Sequence, residues 1–266
     1  MTQAKSNHTT DDQNVKEIED RGITLVASGK GGVGKTWLSI TLAHQLAQKG
    51  KKVLLFDGDL GLANVDIQLG LTPTKDIGDV VDGTVKLEDI ILRYAPGHFD
   101  VIAGRSGCGS LASIAPERLS LIREELKKIS HKYDHVLIDL GAGIGGIVKA
   151  LSPITNHCLL ILTDEPTSIT DGYAFMKVTL KSLPTMKMDL VINQAESLTQ
   201  GQNTYTSFKK VCEKFLNYAP NLACVIRRDN QVKQAIRSQT SLIEYQPKAD
   251  AATDIQYLSE FMNHRA

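Results

Sequence analysis

Long apolar runs are missing from this chain. No stretch approaches the roughly 18–20 residues of a membrane span. The polar N-terminus, MTQAKSNHTTDDQNVKEIEDRG, has no apolar segment that would make a secretory signal. Net charge is missing too: 30 Lys and Arg balance 30 Asp and Glu. That balance argues against a uniformly basic nucleic-acid coat and against a polyacidic tail, while leaving room for a local patch. Cysteine is scarce. Cys108, Cys158, Cys212 and Cys224 form no CxxC pair, so neither structural zinc nor a disulfide framework fits a chain of 266 residues. Reduced thiols and a cytoplasmic location are the expectation. What is left is a soluble globular composition, 42% apolar and 23% charged.

Residues 1–21 are polar and lack apolar periodicity, which reads as a mobile leader with one helical turn near Val15–Ile18. A rhythm follows. Short β-branched runs recur at Ile23–Ala27, Val53–Phe56, Phe99–Ala103, His135–Leu140, Cys158–Thr163, Leu190–Asn193 and Leu222–Ile226. Segments of helical spacing lie between most of them: Trp37–Gln48, Pro116–Ser130, Thr170–Ser182 and Thr206–Leu216. Strands alternating with helices predict crossover units and a mostly parallel sheet. Several runs are apolar throughout, as expected when helices cover both faces. The expectation is one α/β domain over 22–266, a doubly wound sheet of about seven or eight strands.

The strongest motif follows the first strand. Gly29-Lys30-Gly31-Gly32-Val33-Gly34-Lys35-Thr36 fits G-x-x-x-x-G-K-[ST] between a strand and a helix. Glycines let successive N–H groups turn inward on phosphate oxygens, and the helix N-terminus adds its positive end. Lys35 supplies a cation for the β- and γ-phosphates, and Thr36 a hydroxyl for Mg²⁺. Further acids stand where parallel strands end, the edge at which such sheets bind ligands. Asp57 and Asp59, two apart on a strand, are expected to point to one side; one could order the attacking water and the other hold the metal's water shell. Asp139 closes another apolar strand and suits the outer shell of Mg²⁺. Thr163–Asp171 reads as a Pro-containing turn whose hydroxyls can cap a helix. Asn193 ends a strand with an amide suited to a purine edge.

These motifs resemble a known family. KGGVGKT looks like the deviant Walker A loop of MinD/ParA P-loop ATPases, and DGDLGLANVDIQLGL and DEPTSITDGYAFMK resemble the FlhG/FleN branch, which controls flagellar number. The resemblance covers roughly residues 22–262. It implies an ATP-sandwich dimer in which Lys30 reaches the partner's nucleotide. It implies Asp59 as the water-positioning acid, Asp57 as a supporting acid near Mg²⁺, and Asn64 as a switch residue sensing the γ-phosphate. Glu165 would lie near the ribose, Asp171 near the Lys30 arm, and Asn193 at adenine. The I-P-x-D element becomes Ile226-Arg227-Arg228-Asp229, with backbone of Ile226 and Arg227 expected at the base. Leu140 stands where the family pattern has Thr or Ser. Trp37, next to Thr36 in the cofactor loop, should report nucleotide by its fluorescence.

The implied function is an ATP-hydrolysing dimerisation switch, Mg²⁺-dependent, that sets the number or placement of a cellular structure, with flagella the first candidate by the resemblance. A flagellar transcription regulator or a flagellar GTPase would be its partner by analogy. The rival is a ParA-type DNA or cargo positioner, for which Arg227, Arg228, Lys233 and Arg237 form only a modest basic cluster. A third reading is a nucleotide-bound scaffold without turnover. The acidic C-terminal segment disfavours direct membrane contact, and core packing of Ile255, Leu258, Phe261 and Met262 is expected instead.

Overall fold

The computed structural model describes residues 22–59, 63–104, 115–143 and 150–264. The leader, Cys108 and residues 60–62 and 144–149 of the two acid-bearing loops lie outside them. Eight strands form one sheet: β1 (Ile23–Ala27), β2 (Val53–Gly58), β3 (Ile91–Tyr94), β4 (Phe99–Ile102), β5 (His135–Leu140), β6 (His157–Leu162), β7 (Lys187–Ala195) and β8 (Asn221–Arg227). Their order is β3-β4-β2-β5-β1-β6-β7-β8. Every pairing is parallel except β3 with β4. Strand β3 was not expected, because four residues including Arg93 make no apolar run. It forms as the return arm of a short antiparallel edge pair.

The helices are α1 (Lys35–Gln48), α2 (Val65–Leu69), α3 (Ile77–Val81), α4 (Pro116–Ser130), α5 (Pro166–Ser182), α6 (Leu198–Leu216), α7 (Asn230–Arg237), α8 (Leu242–Tyr245) and α9 (Asp250–Asn263). Alternation along β1 sends Ile23, Leu25 and Ala27 to one face and Val26 to the other. One core takes Leu126 of α4, Phe175 of α5 and Phe208 of α6; the other takes Leu38 of α1, Ala235 of α7 and Ile255 of α9. That two-sided burial is why β1, β2, β5 and β6 are buried at every residue.

Helix α1 starts two residues before Trp37, and two other helices start well before periodicity suggested. Helix α5 begins at Pro166, whose missing N–H suits the first helical position. Helix α6 begins after Ser197, whose hydroxyl accepts from Gln200 N–H. The expected hydroxyl cap on α5 is absent; Ser168 instead accepts the Thr163 N–H at 3.0 Å. Helix α9 buries Ile255, Leu258 and Met262 against α1 and β8, as anticipated. No helix among the described residues is long and apolar enough to cross a membrane.

Strand β1 sits between β5 and β6, where the strand order reverses direction. Its C-terminal end is therefore a topological switch point, the place where such sheets open a crevice.

Candidate active site

The loop after β1 enters α1 through Gly34, whose φ of +93° is left-handed. A Cβ there would lie 2.5 Å from Trp37 Nε1 and 2.6 Å from Asn193 Nδ2. Gly29 is constrained differently: a Cβ would lie 2.2 Å from the Asp171 carbonyl, so only glycine lets the loop rest on α5. Gly32 faces open space and a Cβ on Gly31 would only reach the Ala142 methyl at 3.9 Å, the room a phosphate cradle requires.

Lys35 turns back along the loop. Its Nζ donates to Ser28 Oγ at 3.0 Å, and Ser28 Oγ donates to the Lys30 carbonyl at 2.6 Å. Burial holds the Lys35 ammonium below its ordinary range, opposed by Asp139 and then Asp59. Thr36 Oγ1 donates to Asp139 Oδ2 at 2.7 Å, and Ser39 Oγ to Asp139 Oδ1 at 3.4 Å. Burial pushes Asp139 up to about 6, against the pull of Thr36 and Lys35. Ser28 and Ser39 were not singled out from sequence. Their only signal was position, one residue before the loop and one helical turn beyond it.

Asp57 differs from expectation. It pairs in register with Asp139 across β2 and β5. Its Oδ1 accepts the Asp59 N–H at 3.1 Å, and its Oδ2 accepts those of Asn64 and Val65 at 3.0 and 3.1 Å. Both oxygens thus hold the segment leading into α2. Burial first, then Asp139, raises Asp57 to about 7. Asp59 does not share its direction, because β2 ends at Gly58 and the pleat ends with it. The Asp59 carboxylate rests 3.2 Å from where a Gly141 Cβ would stand, beside Leu140 at the edge of the cleft. Leu140 pairs in register with Gly58 and fills the space that glycine leaves, which accounts for an apolar residue there.

Lys30 Nζ pairs with Glu165 and donates to Thr167 Oγ1 at 2.8 Å. Glu165, expected near a ribose, is thus the lysine's own acid, and Lys30 lowers its pKa. Asp171 meets the loop through its backbone at Gly29. Asn193 is buried; its Nδ2 donates to the Val33 carbonyl at 2.7 Å, and its Oδ1 has no partner. A carboxamide held in that sense turns its oxygen to a ligand as an acceptor and keeps a second N–H to donate, a pairing that fits the 6-amino group of adenine and a neighbouring ring nitrogen. Asp229, also in the cleft wall, caps α7 by accepting from Gln231 N–H and accepts a second bond from Ala251 N–H.

Arg227, whose backbone was expected at the base, lines the cleft while its side chain is engaged elsewhere. It grips buried Asp254 of α9 through Nε and Nη2, each at 2.9 Å, and Nη1 pairs with Asp250 at 2.9 Å. Arg228 pairs with Glu196 at 3.3 Å. The suspected basic cluster is therefore half neutralised. Removing one member of such a pair leaves buried charge without its partner. Arg227→Ala should lower unfolding stability by about 2 kcal/mol in urea melts; an unchanged midpoint would refute the lock.

Together these residues line a cleft of about 890 Å³ that runs from Gly31 and Lys35, past Asp59 and Gly141, to Asn193 and Arg227. The profile of the CobQ/CobB/MinD/ParA nucleotide binding domain matches residues 24–242. The chain belongs to this nucleotide-binding family. Within it, the chain is 36% identical over 230 residues to the antiactivator FleN of Pseudomonas aeruginosa, covering 86% of this chain and 82% of that one. It is also 36% identical over 189 residues to the flagellum site-determining protein YlxH of Helicobacter pylori, covering 71% and 63%. The solved septum site-determining protein MinD from Pyrococcus horikoshii, complexed with Mg-ADP, superposes with a TM-score of 0.75 at 25% identity, covering 90% of this chain and 94% of that one. The eight-stranded sheet is thus a MinD-type P-loop fold, and the chain is a MinD/ParA-type protein near the FleN and YlxH branch.

Proposed function

We propose that this chain is a MinD-like ATPase whose ATP-dependent dimerisation regulates the number or placement of flagella. The observation that carries the switch is the second lysine of the loop. Lys30 is not in the cradle but at its rim, where among the described residues its ammonium is held by exposed Glu165 and Thr167. An exposed ion pair is weak and solvent-screened, so a γ-phosphate presented by a second copy can take the ammonium. The FleN and YlxH relatives support the flagellar assignment. A flagellar transcription regulator or flagellar GTPase is the proposed partner class, and recruitment to a cell pole would run through it.

In this reading the glycine loop and Lys35 bind the phosphates, and Asn193 accepts from the base. Thr36, with Asp139 behind it, is the residue set that would hold Mg²⁺; the chemistry supplied there is neutralisation of charge on the β- and γ-phosphates. Asp59 orders the water for in-line attack, and Asn64, four residues before Gln68 on the same switch segment, senses the γ-phosphate. Asp57 holds that segment by its backbone.

The test is solution mass by light scattering with Mg-ADP and with Mg-ATP, beside phosphate release. ATP should give dimers and ADP monomers, with slow turnover. Trp37, in the cleft wall and 8% exposed, should change its fluorescence as either nucleotide binds. Nucleotide binding without any change in mass would sink the dimer switch; binding and dimerisation without phosphate release would leave a scaffold.

A further inference from the structure

The cleft extends past what the phosphates and base use. At one side its wall is Trp37 of α1, Gln68 of α2, and Asn230, Val232, Lys233 and Ile236 of α7. Trp37, Gln68, Val232 and Ile236 also line a separate void of about 10 Å³. Gln68 thus borders both spaces. Its Oε1 is buried and, among the described residues, accepts no hydrogen bond. The helix that carries it is well anchored: Gln68 N–H donates to the Asn64 carbonyl at 3.0 Å, and Gln239 Nε2 donates to the Ile67 carbonyl at 3.2 Å. A carboxamide oxygen left without a donor disfavours the folded state, and a leucine would fill the same wall without that burden. The residue makes sense if a ligand brings the donor.

At neutral pH an adenine nucleotide carries donors in two places, the 6-amino group and the ribose hydroxyls. Among the described residues, Asn193 Oδ1 is the other buried, unpartnered acceptor in the cleft wall, and its orientation suits the amino group. The hydroxyls are then left for Gln68. We propose that Gln68 accepts a hydrogen bond from a ribose hydroxyl of the bound nucleotide, so that the cleft selects ribonucleotides over deoxyribonucleotides. The inference rests on reading the cleft as an adenine-nucleotide site. It adds a second tie between ligand and α2, the helix that follows the γ-phosphate-sensing segment.

The experiment is titration calorimetry of the full chain with Mg-ADP, Mg-2′-deoxy-ADP and Mg-3′-deoxy-ADP, for wild type and Gln68→Leu. Diphosphates keep hydrolysis and dimerisation out of the measurement. Wild type should bind ADP about tenfold more tightly than at least one deoxy analogue, the worth of one neutral hydrogen bond. The analogue that loses affinity identifies the hydroxyl. Gln68→Leu should bind all three alike, at the weaker affinity, and melt without nucleotide at the same temperature as wild type or higher. Equal affinities in wild type, or discrimination that survives in Gln68→Leu, would overturn the assignment. If wild type binds none of the three, the adenine-nucleotide reading itself fails.

Discussion

Asp59→Ala is expected to bind ATP, dimerise with it and fail to turn it over. The carboxylate lies where β2 has just ended, against Gly141 at the end of β5, and it lines the cleft with Lys35 and Thr36. It is close enough to Lys35 and Asp139 to move both of their pKa values upward. The loop itself is shaped by glycines, Ser28 and Asn193. Loss of the side chain therefore removes the group that orders the water and leaves the phosphate contacts standing. It also removes a negative charge beside the incoming phosphates, so ATP affinity should hold or rise slightly. Losing a positioned acid–base group of this kind lowers turnover by about 10²–10⁴-fold. Single-turnover phosphate release and light scattering on one sample check both halves. Turnover at the wild-type rate would show that another group orders the water. A variant that binds ATP yet stays monomeric would show that Lys30 does not reach across unaided.

The placement of the glycine loop, Lys35, Thr36 and Asp139 was legible in the sequence because the signals that set it are local. A strand, a glycine turn and a helix start are each written within a few residues, and an apolar strand closing on Asp139 marks its own end. What was illegible depends on separation or on the shape of a turn. Lys30 and Glu165 are 135 residues apart, and nothing in either segment names the other. Arg227 looked like a lost proline, but its meaning lies in Asp254, buried in a helix that only the fold brings to β8. Asp57 and Asp59 looked equivalent under strand alternation. The chain leaves the strand between them, so one acid turns to backbone and the other to the cleft. Gln68 gave no signal: a lone polar residue in a short helix reads as solvent-facing until the wall around it is seen.

Asp139→Asn should make the nucleotide-free protein more stable at neutral pH and less able to hydrolyse ATP. The carboxyl is held at about 6 against an ordinary 3.8, chiefly by burial. The folded chain therefore binds more protons at this group than the unfolded chain between those values. Its contribution to stability is complete below about pH 4 and lost as pH rises through 6. Asparagine has no such dependence. Its advantage over wild type should grow from pH 4.5 to pH 8 by of order 1–3 kcal/mol, because a proton held only by the folded chain is worth about 1.4 kcal/mol for each pH unit crossed. The swap is gentle on geometry, because Thr36 and Ser39 meet the carboxylate through hydroxyls, which can accept from an amide as readily as they donate to an acid. It should also let Asp57 ionise more easily, since Asp139 is one cause of its raised value. Function runs the other way. An amide that donates to Thr36 Oγ1 occupies the lone pair that the hydroxyl would turn to a cation, and the negative charge behind it is gone. Changes to outer-shell partners of this kind cost about 10–100-fold in metal affinity or activity. Urea melts in chelator across pH, with phosphate release alongside, measure both. A pH-independent stability difference would mean that Asp139 is not the group titrating there. Unchanged hydrolysis would mean that its charge does not serve the Thr36 hydroxyl. The expected pairing, stability gained where activity is lost, is the mark of a buried charge kept for its chemistry.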